Sequence, residues 1–365
     1  MKSIRFIMIG GFLGAGKTTI IGRLAKRLVD SGQKVGIVTN DQAYGLVDTE
    51  SLRAQGFEVG EVPGACFCCK FDDLIDTAQK LSADEAPDVI LTEPVGSCTD
   101  LVATVIEPLR HLHGDRYEIA PLAVLFKPEH GQKILRGEPN VGFSPKAAYI
   151  FLKQIEEADI VVLNKIDKLS DEQLAELTQL VEERFPDKQL LAISAREGRG
   201  LAELAEALDA PRTSRTEAME VDYDVYAEGE AELGWLNCSV RITSRGEEFS
   251  LDEVLMELTQ ALGRSLADAG AEVAHLKLFG QADNVPAVTN LVATGAEAEL
   301  SLAAEIRTAE AELIVNARVA TDPEQLAAVV EQQVARLAES RGLEHEITGL
   351  QHFRPGRPVP THRMG

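Results

Sequence analysis

Residues 4–18 read Ile-Arg-Phe-Ile-Met-Ile-Gly-Gly-Phe-Leu-Gly-Ala-Gly-Lys-Thr. The apolar run Ile4–Ile9 suits a buried strand, and from Thr18 onward (Thr-Thr-Ile-Ile-Gly-Arg-Leu-Ala-Lys-Arg-Leu) the pattern is helical. Strand, glycine turn and helix form the context of a phosphate-binding loop. Gly11, Gly14 and Gly16 let successive backbone N–H groups, that of Ala15 among them, curl round a phosphate at a helix N-terminus. In that arrangement Lys17 reaches the β- and γ-phosphates, the Thr18 hydroxyl ligates Mg²⁺, and Thr19 opens the helix.

Working outward, alternation of strand-like and helical stretches continues to about residue 210. The strand candidates are 4–9, 34–39, 57–62, 88–92, 120–126, 159–163 and 189–193. This predicts an α/β domain, a P-loop NTPase with a mostly parallel doubly wound sheet, over 1–210. Residues 211–231 begin with proline and read as a linker. Strand-like runs near 233–243, 273–279, 287–294, 312–319 and 345–351, with helices at about 251–268 and 322–341, predict a smaller α+β domain over 232–365. The Ala/Glu-rich stretch 295–312 reads as a solvated helix.

The strand at 159–163 runs into Asn164-Lys165-Ile166-Asp167. A carboxylate at Asp167 accepts from guanine N1–H and N2–H₂, a pairing that adenine does not offer. Lys165 would lie along the base and Asn164 brace the loop. Ser194-Ala195 follows a later strand and offers the Ala195 N–H to guanine O6. The nucleotide indicated is GTP, with GDP as product. Two further strand ends carry carboxylates: Asp41 after 34–39, and Glu93 in Thr92-Glu93-Pro94-Val95-Gly96. Either orients the attacking water or holds Mg²⁺, and Gly96 lets its backbone approach the γ-phosphate. Lys17, Glu93 and Asp41 are the candidate catalytic residues.

Acidic residues outnumber basic ones 59 to 36, a formal charge of −23, which argues against nucleic acid and anionic membranes as partners. The chain enters a strand at once, without a signal-peptide core, so a cytoplasmic location is expected. Four of the five cysteines fall between 66 and 98, which is thiol or metal chemistry rather than a disulfide framework. Cys66, Cys68 and Cys69 are soft ligands for Zn²⁺ or another transition metal. Cys68 and Cys69 are adjacent, so the three aim at one ion only through a turn, for which Pro63 and Gly64 are suited. A further ligand is then needed: Cys98, a histidine, a carboxylate, water or a partner protein. Thiols packed as small hydrophobes, or a closed structural zinc, are the bland alternatives.

Together, Gly-Gly-Phe-Leu-Gly-Ala-Gly-Lys-Thr-Thr (10–19), Cys-Phe-Cys-Cys (66–69), Glu-Pro-Val-Gly (93–96) and Asn-Lys-Ile-Asp (164–167) resemble the CobW-like GTPases over about residues 4–210. Those belong with the urease and hydrogenase nickel-insertion GTPases and the chaperone of methylmalonyl-CoA mutase. The resemblance implies slow GTP hydrolysis, metal binding at the cysteines, and delivery of metal or metallocofactor to a client enzyme. By resemblance Lys17, Thr18, Glu93, Asn164, Asp167, Cys66, Cys68 and Cys69 carry over. The chain departs from the pattern at Ala65 (usually glycine), at Asn40-Asp41-Gln42, and at Pro94-Val95. Its later histidines (275, 345, 352 and 362) are scattered rather than clustered. Three other readings stay open: a GTPase chaperone for a corrinoid enzyme with structural cysteines, a P-loop small-molecule kinase, and a metal buffer without a client. Trp235 with the segment His352–Arg357 is the candidate surface for a client or a homodimer.

Overall fold

A computed structural model describes residues 3–43, 46–81, 86–137, 144–210 and 218–364. Their contacts divide the chain into two compact units, 1–42 with 57–229 and 357–365, and 43–56 with 230–356. The division therefore differs in two places from one at residues 210–232: each unit takes a segment from the other's half of the sequence.

The first unit holds β1 (Ile4–Gly11), β2 (Val35–Asp41), β3 (Glu58–Pro63), β4 (Val89–Glu93), β5 (Tyr117–Ile119), β6 (Ala123–Phe126), β7 (Ile160–Leu163) and β8 (Gln189–Ala192). They form one sheet in the order β3-β2-β4-β1-β6-β7-β8, with β5 also on β1. Every pairing is parallel. The strand expected at 120–126 is β6, shortened to 123–126, and β5 is an additional strand just before it; Pro121, between the two, supplies no ladder N–H. Helix α1 (Lys17–Asp30) buries Ile20, Ile21 and Leu24, and β1 lies between β4 and β6, so the phosphate loop opens at the middle of the sheet's carboxyl edge.

The second unit starts, in chain order, with α2 (Val47–Ala54). Val47 packs with Phe279 and Val288, its N–H donates to Asn316 Oδ1 at 2.8 Å, and Asp48 pairs with Lys277. Helices α3 (Phe71–Lys80), α4 (Glu107–His113), α5 (Pro128–Leu135), α6 (Pro145–Glu157), α7 (Asp171–Arg184) and α8 (Leu201–Asp209) belong to the first unit, as does most of α9 (Tyr223–Ala231). Residues 211–217 of the expected linker lie outside the described residues, and its stretch 223–231 is helical. It forms α9, started by Asp222 Oδ1 accepting from Asp224 and Val225 N–H, with Tyr226 fully buried.

The rest of the second unit is an antiparallel sheet in the order β13-β12-β11-β15-β9-β16. Its strands are β9 (Gly234–Ser244), β11 (Glu272–Ala282), β12 (Val285–Leu291), β13 (Glu299–Leu302), β15 (Glu310–Ala320) and β16 (Leu343–Phe353), with short β10 (Phe249–Ser250) and β14 (Arg307–Thr308) beside it. The β9–α10–β11 and β15–α11–β16 crossovers, with α10 (Leu251–Asp268) and α11 (Pro323–Arg341), make a split βαβ pair. Leu255, Leu258 and Leu262 of α10 and Val330 and Val334 of α11 share one core with Val240, Leu276 and Leu313. The stretch 295–312 corrects the sequence expectation of a helix. Residues 299–302 pair with β12 and 307–308 with β10, so a free strand edge overrides alanine's helical preference. No helix among the described residues is long and apolar enough to cross a membrane.

Candidate nucleotide and metal site

The phosphate loop is shaped by backbone. Gly11, Gly14 and Gly16 have φ of 132°, 71° and 95°. A Cβ on Gly11 would stand 2.2 Å from the Leu125 carbonyl oxygen, and one on Gly16 2.5 Å from Asn164 Nδ2, so neither tolerates a side chain. Lys17 is buried, and its ammonium donates to the Gly11 carbonyl at 3.1 Å. The Thr18 hydroxyl donates to Glu93 Oε1 at 3.1 Å, and Lys17 Nζ lies 4.0 Å from the same oxygen. A cation, a hydroxyl and a carboxylate are thus gathered beside the loop, a hard-oxygen pair that suits Mg²⁺. A Cβ on Gly96 would meet Leu13 at 2.8 Å and Lys17 Nζ at 3.1 Å, so the Gly96 backbone stands close against the lysine. Thr19 is exposed in the first turn of α1. Asp41 is buried at the end of β2, where its carbonyl accepts from Gly64 N–H at 2.9 Å.

The base-side residues assemble round Asn164. Its Nδ2 donates to the Ala15 carbonyl at 2.8 Å and its Oδ1 accepts from Ala195 N–H at 3.0 Å, joining the phosphate loop to the loop after β8. Asn164 thus engages the Ala195 N–H, the group expected to face guanine O6. Ser194 Oγ donates to Asp167 Oδ1 at 2.6 Å and accepts from Glu197 N–H at 3.2 Å, so it orients the carboxylate. Lys165 adopts a φ of 66°, which starts the short turn carrying Asp167.

After β3, Gly64 takes a φ of 90° and residues 67–70 turn, with Cys69 and Lys70 N–H both donating to the Cys66 carbonyl at 3.0 Å. The turn brings the sulfurs of Cys66, Cys68 and Cys69 within 4.8 Å of one another, with Cys68 and Cys69 3.7 Å apart. Cys66 and Cys68 are buried and Cys69 is half-buried. Hydrogen bonds from Cys68, Cys69 and Cys98 hold the Cys66 thiol well below its ordinary pKa. The same bonding to Cys66 raises Cys68, and raises Cys69 to about 11. Three sulfurs so close together are a donor set that fits a soft or borderline cation.

The model of the CobW/HypB/UreG nucleotide-binding domain matches residues 5–192. The chain belongs to the CobW/HypB/UreG family. It is 27% identical over 212 residues to the zinc chaperone CobW of Pseudomonas aeruginosa, covering 49% of this chain and 53% of that one. To the zinc chaperone YeiR of Escherichia coli it is 30% identical over 193 residues, covering 50% and 53%. The chain thus spans about half the length of the relatives it matches. Among solved structures, HypB from Helicobacter pylori in complex with nickel is 18% identical, with 56% of this chain and 85% of that one covered and a TM-score of 0.41.

Several residues of this CobW/HypB/UreG domain escaped the sequence reading. Asn40, next to Asp41 at the end of β2, braces the cysteine loop. Its Nδ2 donates to the Val62 and Ala65 carbonyls, each at 2.7 Å, and its Oδ1 accepts from Phe67 N–H at 2.8 Å. Gln154 of α6 donates to the Gly96 carbonyl at 3.0 Å and the Cys98 carbonyl at 2.8 Å. Residues 357–364 run back along the same unit. Val359 N–H donates to Cys69 Sγ at 3.3 Å, Thr361 N–H to the Cys68 carbonyl at 2.8 Å, and Thr361 Oγ1 to the Cys69 carbonyl at 3.1 Å. Nothing local in the sequence pairs Thr361 with Cys68. Trp235 corrects the surface reading: it is buried, with the Arg318 guanidinium 4.2 Å from its ring and the Phe353 ring 6.1 Å away. Arg354 donates to the Thr321 carbonyl at 3.2 Å, and Arg357 pairs with Asp224 at 2.7 Å.

Proposed function

We propose that this chain is a GTP-hydrolysing metallochaperone that binds a transition metal, zinc above all, at Cys66, Cys68 and Cys69 and passes it to a client metalloenzyme. The observation that carries the reading is the shared strand ends. β4 ends at Glu93, which is bonded to Thr18, and its loop continues through Gly96 to Cys98. β2 ends in Asn40 and Asp41, and Asn40 grips the cysteine loop by three hydrogen bonds. Two of the relatives are named zinc chaperones, which supports the cargo.

In this reading Lys17 and the loop N–H groups bind the β- and γ-phosphates, and Thr18 with Glu93 holds Mg²⁺. When bound, that ion neutralises charge on the phosphates. Asp41 or Glu93 orients the attacking water, and Gly96 places its backbone against the γ-phosphate. Asn164 and Lys165 fix the base loop, and Asp167, held by Ser194, selects guanine over adenine. Loss of the γ-phosphate removes the contact that positions the 93–98 loop, so nucleotide state and metal affinity are linked in both directions.

The test is zinc affinity of the reduced protein with GDP and with a non-hydrolysable GTP analogue. A difference of at least about tenfold, equivalent to about 1.4 kcal/mol, is expected and is lost in Cys68→Ser. Equal affinities in the two states would overturn the switch.

A further inference from the structure

The cysteine turn carries a strap. Residues 357–364, outside any helix or strand, cross it and bond to it three times. Val359 N–H donates to Cys69 Sγ at 3.3 Å, Thr361 N–H to the Cys68 carbonyl at 2.8 Å, and Thr361 Oγ1 to the Cys69 carbonyl at 3.1 Å. Pro358 and Pro360 flank Val359 and fix the backbone on either side of it, so little chain entropy is lost in holding it there.

The strap is fastened on both sides of the turn. Before it, Arg357 pairs with Asp224 at 2.7 Å, but both side chains are exposed and such a pair has small net worth. Beyond it, Arg363 Nε donates to Asp100 Oδ2 at 2.8 Å and its Nη2 to the Met219 carbonyl at 2.8 Å, and Met364 N–H donates to the Ala103 carbonyl at 2.8 Å. Asp100 is buried, and the same oxygen accepts from Tyr223 Oη–H at 2.7 Å. Withdrawal of Arg363 would strand a buried carboxylate, so this second fastening is the firm one. Between the two, the His362 ring stands edge-on to Phe71 at 5.1 Å.

Resting on the metallochaperone reading above, we propose that the strap is a gate on the cysteine site, and that its fastening at Asp100 sets how fast metal enters and leaves. Cys66 and Cys68 are buried and Cys69 is half-buried, so Cys69 is the sulfur that an incoming ligand reaches. The strap lies on that sulfur and on the two carbonyls beside it. Fastened, it slows ligand exchange; released, it uncovers Cys69 and leaves all three thiols in place.

Two substitutions open the gate without touching a cysteine or a nucleotide-side residue. Arg363→Gln unfastens the strap, and Thr361→Pro removes both Thr361 bonds to the turn. Two rates are read on the reduced full chain: alkylation of Cys69 by iodoacetamide in metal-free protein, followed by peptide mass spectrometry, and loss of zinc from loaded protein to a chromogenic chelator. Both rates are expected to rise about tenfold in each variant, the factor that one or two lost hydrogen bonds carry. GDP affinity at the wild-type level reports that each variant is folded. Unchanged rates in both variants would overturn the gate and leave the metallochaperone reading standing. Faster alkylation with unchanged zinc loss would overturn it as well, since the strap would then mask a thiol without governing the ion. A wild-type protein that binds no zinc would overturn the metallochaperone reading, and the gate with it.

Discussion

The phosphate loop and the cysteine loop leave the same sheet edge but are held in different ways. The first is shaped by its own backbone: three glycines at positive φ, and a Leu125 carbonyl so close to Gly11 that no side chain fits. The second is held by side chains from elsewhere: Asn40 from β2 and Thr361 near the last described residues. A backbone-defined loop is stiff and keeps its form through a catalytic cycle. A loop assembled from distant parts changes when any one part moves, which is the property that the proposed delivery of metal requires.

The largest expected effect bears on the first loop. Gly11→Ala should cost on the order of 3–5 kcal/mol in denaturant unfolding and abolish nucleotide binding, because the clash is with backbone and φ is 132°. A mild variant with near-normal GTP affinity would show the loop to be more adaptable than its geometry indicates.

Next in size is a pH effect at Glu157, a positioning residue behind the Cys98 segment. Its carboxylate accepts from Thr99 Oγ1 at 3.2 Å and Val102 N–H at 3.1 Å. Burial pushes its pKa up to about 8 from an ordinary 4.5. Between those values the folded protein keeps a proton that the unfolded chain has lost, so stability falls as pH rises through the window and levels off above about 8. Glu157→Gln should remove that slope, on the order of 2–4 kcal/mol across the window by urea unfolding at several pH values. Parallel slopes in the two proteins would mean that Glu157 is ionised in the native state.

The smallest effect separates the two loops. Asn40→Ala should weaken zinc binding by about 10–100-fold, as loss of a residue that orients ligands does, while GTP affinity stays within about twofold. Equal losses at both sites would erase the distinction between them.

The same difference explains what the sequence made legible. Glycine spacing encodes backbone geometry, so 11–18 was readable alone, as were the sheet's alternation and the α10 and α11 helices. The three thiols were readable as a set because they lie within four residues. Asn40 drew no site reading of its own, because its hydrogen bonds to Ala65 and Phe67 span 25 and 27 residues, a separation that no local pattern reports. The residues 295–312 misled for a related reason: alanine and glutamate favour helix locally, and the strand edge that captures 299–302 belongs to β12. Trp235 misled because a lone tryptophan in a short run gives no sign of the arginine that covers it.

The strap at 357–364 has a consequence for the order of events during synthesis. Thr361 follows Cys69 by 292 positions. At translation rates of ~5–20 residues per second, the thiols emerge roughly 15–60 s before the segment that lies over them. The nascent chain therefore passes through a period in which the cysteine turn is complete and uncovered, and a metal ion that arrives then meets no strap.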